Sequence, residues 1–305
     1  MRRQVPRDGA PRPESQASMT SDVQTVPSAP QAAGRRLPIV VHDAFFAGAQ
    51  LLALNLARRI AEAGLARPEL LLGEGGELEA ALARAAPTRL IGAGFADAAA
   101  WASEAAALAA GGARSVLCNS LVSARALPHL HAAGLTTILL VHELPDLIAR
   151  YGLDDAARHA ARLADLIVFP DAAVRDPFVA AYGPVAGRVM VRPQGLYGAV
   201  LPPWRRPGRR VTMRARLGLR DDDVLVLGLG YGDRRKGLDL WPAIAQSVRR
   251  RAAHVRFAWV GAVEDALRPE LDAEIRARDL DGALVLPGRT DASADDMVAA
   301  DAIFR

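Results

Sequence analysis

Lysine is almost missing from this chain: of 38 lysines and arginines in 305 residues, Lys236 alone is a lysine. Arginine serves wherever a general surface cation suffices. The one lysine is therefore either a chance survivor or a place where a compact ammonium is needed and a planar guanidinium does not fit. Cysteine is as rare. Cys118 has no second cysteine to pair with, which excludes a disulfide framework and suits a reducing cytoplasm. No run of eighteen apolar residues occurs, so no helix is expected to span a membrane. The N-terminus has no continuous apolar segment of the kind a secretory signal requires. Aromatics make up only 5%, yet 51% of the chain is apolar, enough for cores of ordinary size. The expectation is a cytoplasmic protein of two domains.

A sequence pI near 9.8 invites a nucleic-acid reading. The charge is unevenly placed, however. Residues 1–36 hold six arginines against Asp8, Glu14 and Asp22, and the formal total of +4 leaves only +1 for the rest. A globular part so close to neutral is expected to lack the electrostatic footprint of a nucleic-acid binder. The tail is rich in Pro, Ser, Gln and Ala without apolar periodicity and reads as disordered. Peripheral contact with anionic lipid at the inner membrane face is its alternative role.

From Leu37 short β-branched or leucine-rich runs alternate with Ala/Leu/Arg helices of 3.6-residue period. Strands are expected at Leu37–His42, Glu69–Leu72, Arg89–Ile91, Ser115–Cys118, Thr136–His142, Leu166–Phe169 and Arg188–Val191. Helices are expected at Ala49–Ala63, Ala96–Ala110, Ala124–Ala133 and Asp171–Ala181. Strands that are apolar throughout suit a parallel sheet covered on both faces, and the βα alternation is that of a doubly wound domain. Around Pro193–Arg210 the alternation breaks among prolines and glycines, which places a linker at 196–210 between domains at 37–195 and 211–305. A second alternation follows. Strands are expected at Val224–Leu229, Arg256–Val260 and Ala283–Leu286, and helices at Leu238–Arg251, Pro269–Arg278 and Asp295–Ala300. The opening of a fourth strand lies at Ala302–Arg305.

The segment richest in chemistry is Val224–Leu240, VLVLGLGYGDRRKGLDL. An apolar strand runs into a glycine-rich turn, then into Arg234, Arg235 and Lys236, then into a helix. In an open α/β sheet ligands bind outside the carboxyl ends of the strands. Glycines such as Gly232 let the backbone approach a ligand, and Arg235 and Lys236 add charge where a diphosphate would sit. It is not a P-loop, because Gly237 stands where Ser or Thr is required. Nor is it a dinucleotide fingerprint, because the glycine spacing is wrong. A basic loop that merely caps the next helix is the plainer alternative.

This segment resembles the phosphate loop of glycosyltransferase family 4, in which a strand leads through R-K-G-x-D-x-L into a helix. Other pieces recur in the same order. Phe46-Ala-Gly48-Ala49-Gln50 is similar to that family's G-G-A-Q loop, with Ala47 in place of the first glycine. Asn119-Ser120, Val141-His142-Glu143-Leu144-Pro145, Ala164–Val168, Arg192-Pro193-Gln194-Gly195-Leu196 and Ala300-Asp301-Ala302-Ile303-Phe304 follow. The resemblance runs from Leu37 to the last residue. It implies a GT-B fold of two facing Rossmann-like domains, the second incomplete. The implied activity is retaining transfer of a hexose from a nucleotide-sugar donor to a glycan or lipid-linked acceptor, with no metal or other cofactor and no nucleic-acid partner. It gives Lys236 and Arg235 the donor diphosphate, Gly48 and Ala49 backbone N–H groups facing the donor, and His142 the transferred sugar or acceptor hydroxyl. Glu143 beside His142, and His42 and Asp43 at the first strand's end, border the same crevice. The family's acidic E-x7-E pair would fall beyond Arg305, so a chain truncated in its second domain, with little or no transferase activity, is expected. A non-catalytic two-lobed ligand-binding protein is the alternative function. His129 and His131, at i, i+2, do not share a helical face and offer no metal site. Cys118, Trp241 and Trp259 read as core.

Overall fold

A computed structural model describes residues 34–92, 94–195, 202–290 and 297–304. Most of the tail, the first part of the expected linker and Arg305 lie outside the described residues. Two parallel sheets organise the chain. The first runs β1 (Arg36–Val41), β2 (Arg67–Leu72), β3 (Thr88–Leu90), β4 (Ser115–Asn119), β5 (Thr136–Leu140), β6 (Leu166–Phe169) and β7 (Arg188–Val191). Its spatial order is β3-β2-β1-β4-β5-β6-β7. Helices α1 (Gly48–Glu62), α2 (Glu79–Ala85), α3 (Ala98–Ala110), α4 (Leu127–Ala132), α5 (Pro145–Arg150), α6 (Asp154–Leu163) and α7 (Ala172–Tyr182) connect them. The second sheet has β8 (Val224–Leu229), β9 (Val255–Val260), β10 (Leu284–Gly288) and β11 (Ala302–Phe304), in the order β10-β9-β8-β11. Helices α8 (Arg206–Arg216), α9 (Trp241–Arg249) and α10 (Arg268–Ala277) accompany it.

The all-apolar strands bury both faces, as expected. Val40, Leu71 and Cys118 join one core, while their chain neighbours Ile39, Val41, Leu70, Leu72 and Leu117 join the core on the opposite side. This is the two-residue alternation of a strand with helices above and below it. Cys118 sits inside, where burial pushes its thiol up to about 12. A thiol so held is protonated and inert at neutral pH. In the second sheet Trp241 lies edge-on to both Phe257 and Trp259. Gly228 makes this packing fit, since a Cβ there would stand 2.3 Å from the Trp259 ring and 2.6 Å from that of Trp241.

Three expectations are corrected. Arg36, assigned to the tail, begins β1. Its guanidinium donates to both carboxylate oxygens of Glu69 on β2 and to the carbonyl of Gly111, which anchors the first residue of the sheet. The strand expected to reach His142 ends at Leu140, because the His142 N–H turns back to the Glu143 carboxylate at 2.9 Å. The linker expected through Arg210 is already ordered from Pro203, as a 3-10 turn leading into α8. The reason is side-chain pairing, which outweighs the Pro/Gly composition: Arg210 and Arg214 both reach Asp301, just before β11.

Candidate functional site

In each sheet the chain first winds outward one way, then returns to continue on the other side of its first strand. The reversals fall between β1 and β4 and between β8 and β11. At such switch points the connections diverge and leave a crevice outside the carboxyl ends of the strands. One reversal is bordered by His42, Asp43 and Ser120, the other by the turn Gly230–Gly237. The two carboxyl edges meet through Arg289, which follows β10. Its guanidinium lies 3.2 Å from the Glu77 carboxylate and 4.3 Å from the centre of the Phe46 ring. Glu77 also accepts the Phe46 N–H at 3.0 Å, so the loop entering α1 is tied to the second sheet.

At the first reversal the polar groups form one connected chain. The Asp43 carboxylate accepts from the Phe45 N–H at 2.9 Å and from the Gln50 amide. An ionised carboxylate only accepts, so the Gln50 group facing it is the NH2, which also lies 2.9 Å from His42 Nε2. His42 Nε2 also lies 3.3 Å from the second Asp43 oxygen, and its Nδ1 lies 3.0 Å from Ser120 Oγ. Ser120 stands at a strand end with φ of 82°, a conformation rare for residues other than glycine. A strained serine beside histidine and aspartate has the residue types of a nucleophilic triad. The serine is only 1% exposed, however, and it lies on Nδ1 while Asp43 lies on Nε2, the reverse of the triad's arrangement. His42 and Asp43 thus brace the loop that opens α1. Asn119 adds a bond from Nδ2 to the Ala49 carbonyl at 2.7 Å. The N–H groups of Gly48 and Ala49 in the first turn of α1 have no partner among the described residues, and that turn carries no acidic side chain.

His142 follows β5 on the same edge. Gln194, three residues past the end of β7, brings its amide nitrogen to 2.6 Å from His142 Nδ1. The imidazole is pushed below its usual value by burial, against the weaker opposing pull of Glu143. It is thus neutral at physiological pH. With Nδ1 accepting from Gln194, the ring proton resides on Nε2, which is buried and has no partner among the described residues. His142 is thus an N–H donor without an acceptor among the described residues. Glu143 is differently occupied, accepting from the N–H groups of Leu121 and His142, and so holds two strand-end loops together.

In the second sheet, Asp233 caps the turn by accepting the Lys236 N–H at 2.8 Å, and Gly237 closes it in the left-handed region at φ of 73°. Gly232 does not offer its N–H outward: it donates to the Ala262 carbonyl at 2.8 Å, and a Cβ there would strike Leu238 at 2.4 Å. Packing, and not ligand approach, explains that glycine. Arg234 is bonded to Asp239 and Glu270, and Arg235 lies 3.5 Å from Asp233. The exposed Lys236 ammonium has no ion pair among the described residues. Lys236, His142 and the α1 loop are candidates that the sequence itself suggests; Gln194 as the partner of His142, the Gln50 bracing and Arg289 emerge only from the fold. Gln194 and Gln50 stood inside quoted motifs without a role, and Arg289 had no sequence signal.

Two Rossmann-like units meeting at their carboxyl edges define the GT-B fold. The comparisons agree on that fold. HepE of Anabaena, crystallised with UDP and glucose, superposes with a TM-score of 0.73 at 16% identity, over 88% of this chain and 73% of its own. WaaG, a glycosyltransferase involved in lipopolysaccharide biosynthesis, gives 0.64 at 16% identity, over 88% and 74%. OtsA in its apo form gives 0.56 at 12% identity, over 88% and 77%. No family model and no curated protein sequence matches the chain.

Proposed function

We propose that the chain is a nucleotide-sugar-dependent glycosyltransferase, similar to family 4, that moves a hexose with retention to a polysaccharide or lipid-linked acceptor. The observation that carries this reading is the Lys236 ammonium, without a counter-ion among the described residues at the β8/β11 reversal, while the nearby Arg234 is paired. A diphosphate supplies the missing anion. The N–H groups at the start of α1, without partners among the described residues, favour the same ligand, since a helix N-terminus attracts negative charge. Negative charge grows on the departing nucleoside diphosphate as the glycosidic bond breaks, and fixed cations and N–H groups stabilise it without any covalent intermediate. His142 Nε2–H serves a hydroxyl of the transferred sugar or of the acceptor. The HepE structure holds UDP, which makes UDP the first probe to use.

Calorimetry with UDP tests this. Lys236→Ala should lose one charge-assisted contact, about 1.5–3 kcal/mol, which is roughly tenfold or more in affinity. Lys236→Arg should recover only part of the loss, because a planar fork does not occupy the space of an ammonium. Equal affinities for the three proteins would remove Lys236 from the site. Transfer of label from radiolabelled UDP-glucose to a lipid acceptor fraction separates a transferase from a two-lobed binding protein, which would bind the donor without turnover.

A further inference from the structure

Between Asp176 and Asp221 the chain has nine arginines and no acidic residue, so residues 177–220 carry a formal charge of +9. The chain as a whole carries +4, leaving −5 outside this stretch. The near-neutral sum expected for residues 37–305 therefore conceals a strong separation of charge. The structure sorts these arginines by direction. Arg210 and Arg214 turn inward onto Asp301, and Arg220 pairs with Asp222 and Asp223. Arg205, Arg206, Arg209 and Arg216 are exposed, and Arg205 and Arg216 have no ion pair among the described residues.

The same segment exposes large apolar groups. Trp204, in the turn before α8, is 79% exposed, and Val211 on the helix is 69% exposed. Met213 packs inward against Leu225, Leu227 and Val260. At 100° per residue the opposite side of α8 carries Gly208, Val211, Thr212 and Ala215, all uncharged and all exposed, with Arg209 and Arg216 along one margin. A nucleic-acid backbone would find no cation on that outer side. A planar bilayer interface suits it: the small apolar side and the indole enter the headgroup region while Arg205 and Arg216 reach lipid phosphates. We propose that the Trp204–Arg216 surface docks on an anionic lipid bilayer, with α8 lying in the plane of the interface.

The protein carries its own reporter. Of its four tryptophans, Trp101, Trp241 and Trp259 are 1–2% exposed, so a change in emission on docking comes from Trp204. Phosphatidylcholine vesicles containing phosphatidylglycerol should shift the emission of the full chain to the blue and carry it upward in flotation. Vesicles of phosphatidylcholine alone should do neither, and high salt should reverse the binding. Each exposed arginine contributes about a fivefold factor to partitioning, so Arg205→Gln with Arg216→Gln should weaken it roughly 25-fold. Adding Trp204→Ser should weaken it further. All three side chains are exposed, and circular dichroism would verify that the fold is kept. An unshifted spectrum with anionic vesicles would overturn the proposal. So would undiminished flotation of the triple variant, which would place the contact elsewhere, or a response of Trp204 to single-stranded RNA but not to vesicles.

Discussion

Lysine and arginine carry the same charge in different shapes, and a chain that keeps one lysine among 38 basic residues exposes that difference at a single position. Lys236 and His142 were legible in the sequence because each stands just past an apolar run in a parallel βα pattern, where side chains face the crevice. The proton arrangement of His142 was not legible, since it depends on Gln194, 52 residues away in the chain. That arrangement is directly measurable. In histidine-labelled protein the nitrogen shifts of His142 should report a protonated Nε2 and an accepting Nδ1. Gln194→Leu removes the donor to Nδ1 and should let the two tautomers mix. A proton found on Nδ1 in the wild type would reverse the role given to His142, making Nε2 an acceptor.

Elements follow from local pattern where burial decides and depart from it where distant side chains intervene. Strands β6, β7 and β8 occupy the residues that their apolar runs indicate. Helix α8 instead begins in a stretch of Pro, Gly and Arg, because Asp301 supplies from afar the partner that Arg210 and Arg214 require. Asp301 also accepts the Leu225 N–H at 2.8 Å, so one carboxylate joins α8, β8 and β11. Burial alone would raise its pKa, but the Leu225 hydrogen bond and the two arginines outweigh burial and hold it below the usual carboxylate value. A carboxyl group whose folded pKa lies below its unfolded value stabilises the fold at pH above the unfolded value, about 3.9, and loses that contribution as pH falls through the folded value. Asp301→Asn should therefore destabilise the second sheet by ~1.5–3 kcal/mol at pH 7. The difference from wild type should shrink below about pH 4. Urea unfolding at pH 7 and at pH 3.5 measures both, and an equal gap at the two values would contradict this role for Asp301.

At the scale of the molecule, two sheets meet at their carboxyl edges through Arg289, Glu77 and Phe46, a contact for which composition and periodicity hold no signal because it joins domains and not neighbours. The central claim is that one ligand bridges this crevice, its diphosphate on Lys236 and its hexose on His142. The lone lysine makes the test simple, since lysine-labelled protein shows a single side-chain signal, and histidine labelling adds only six. Titration of the labelled chain with UDP should move the lysine signal and leave His142 in place. UDP-glucose should move both, at the same ligand concentration. A lysine signal that stays fixed as either ligand saturates the protein, or a His142 signal indifferent to the hexose, would contradict the account.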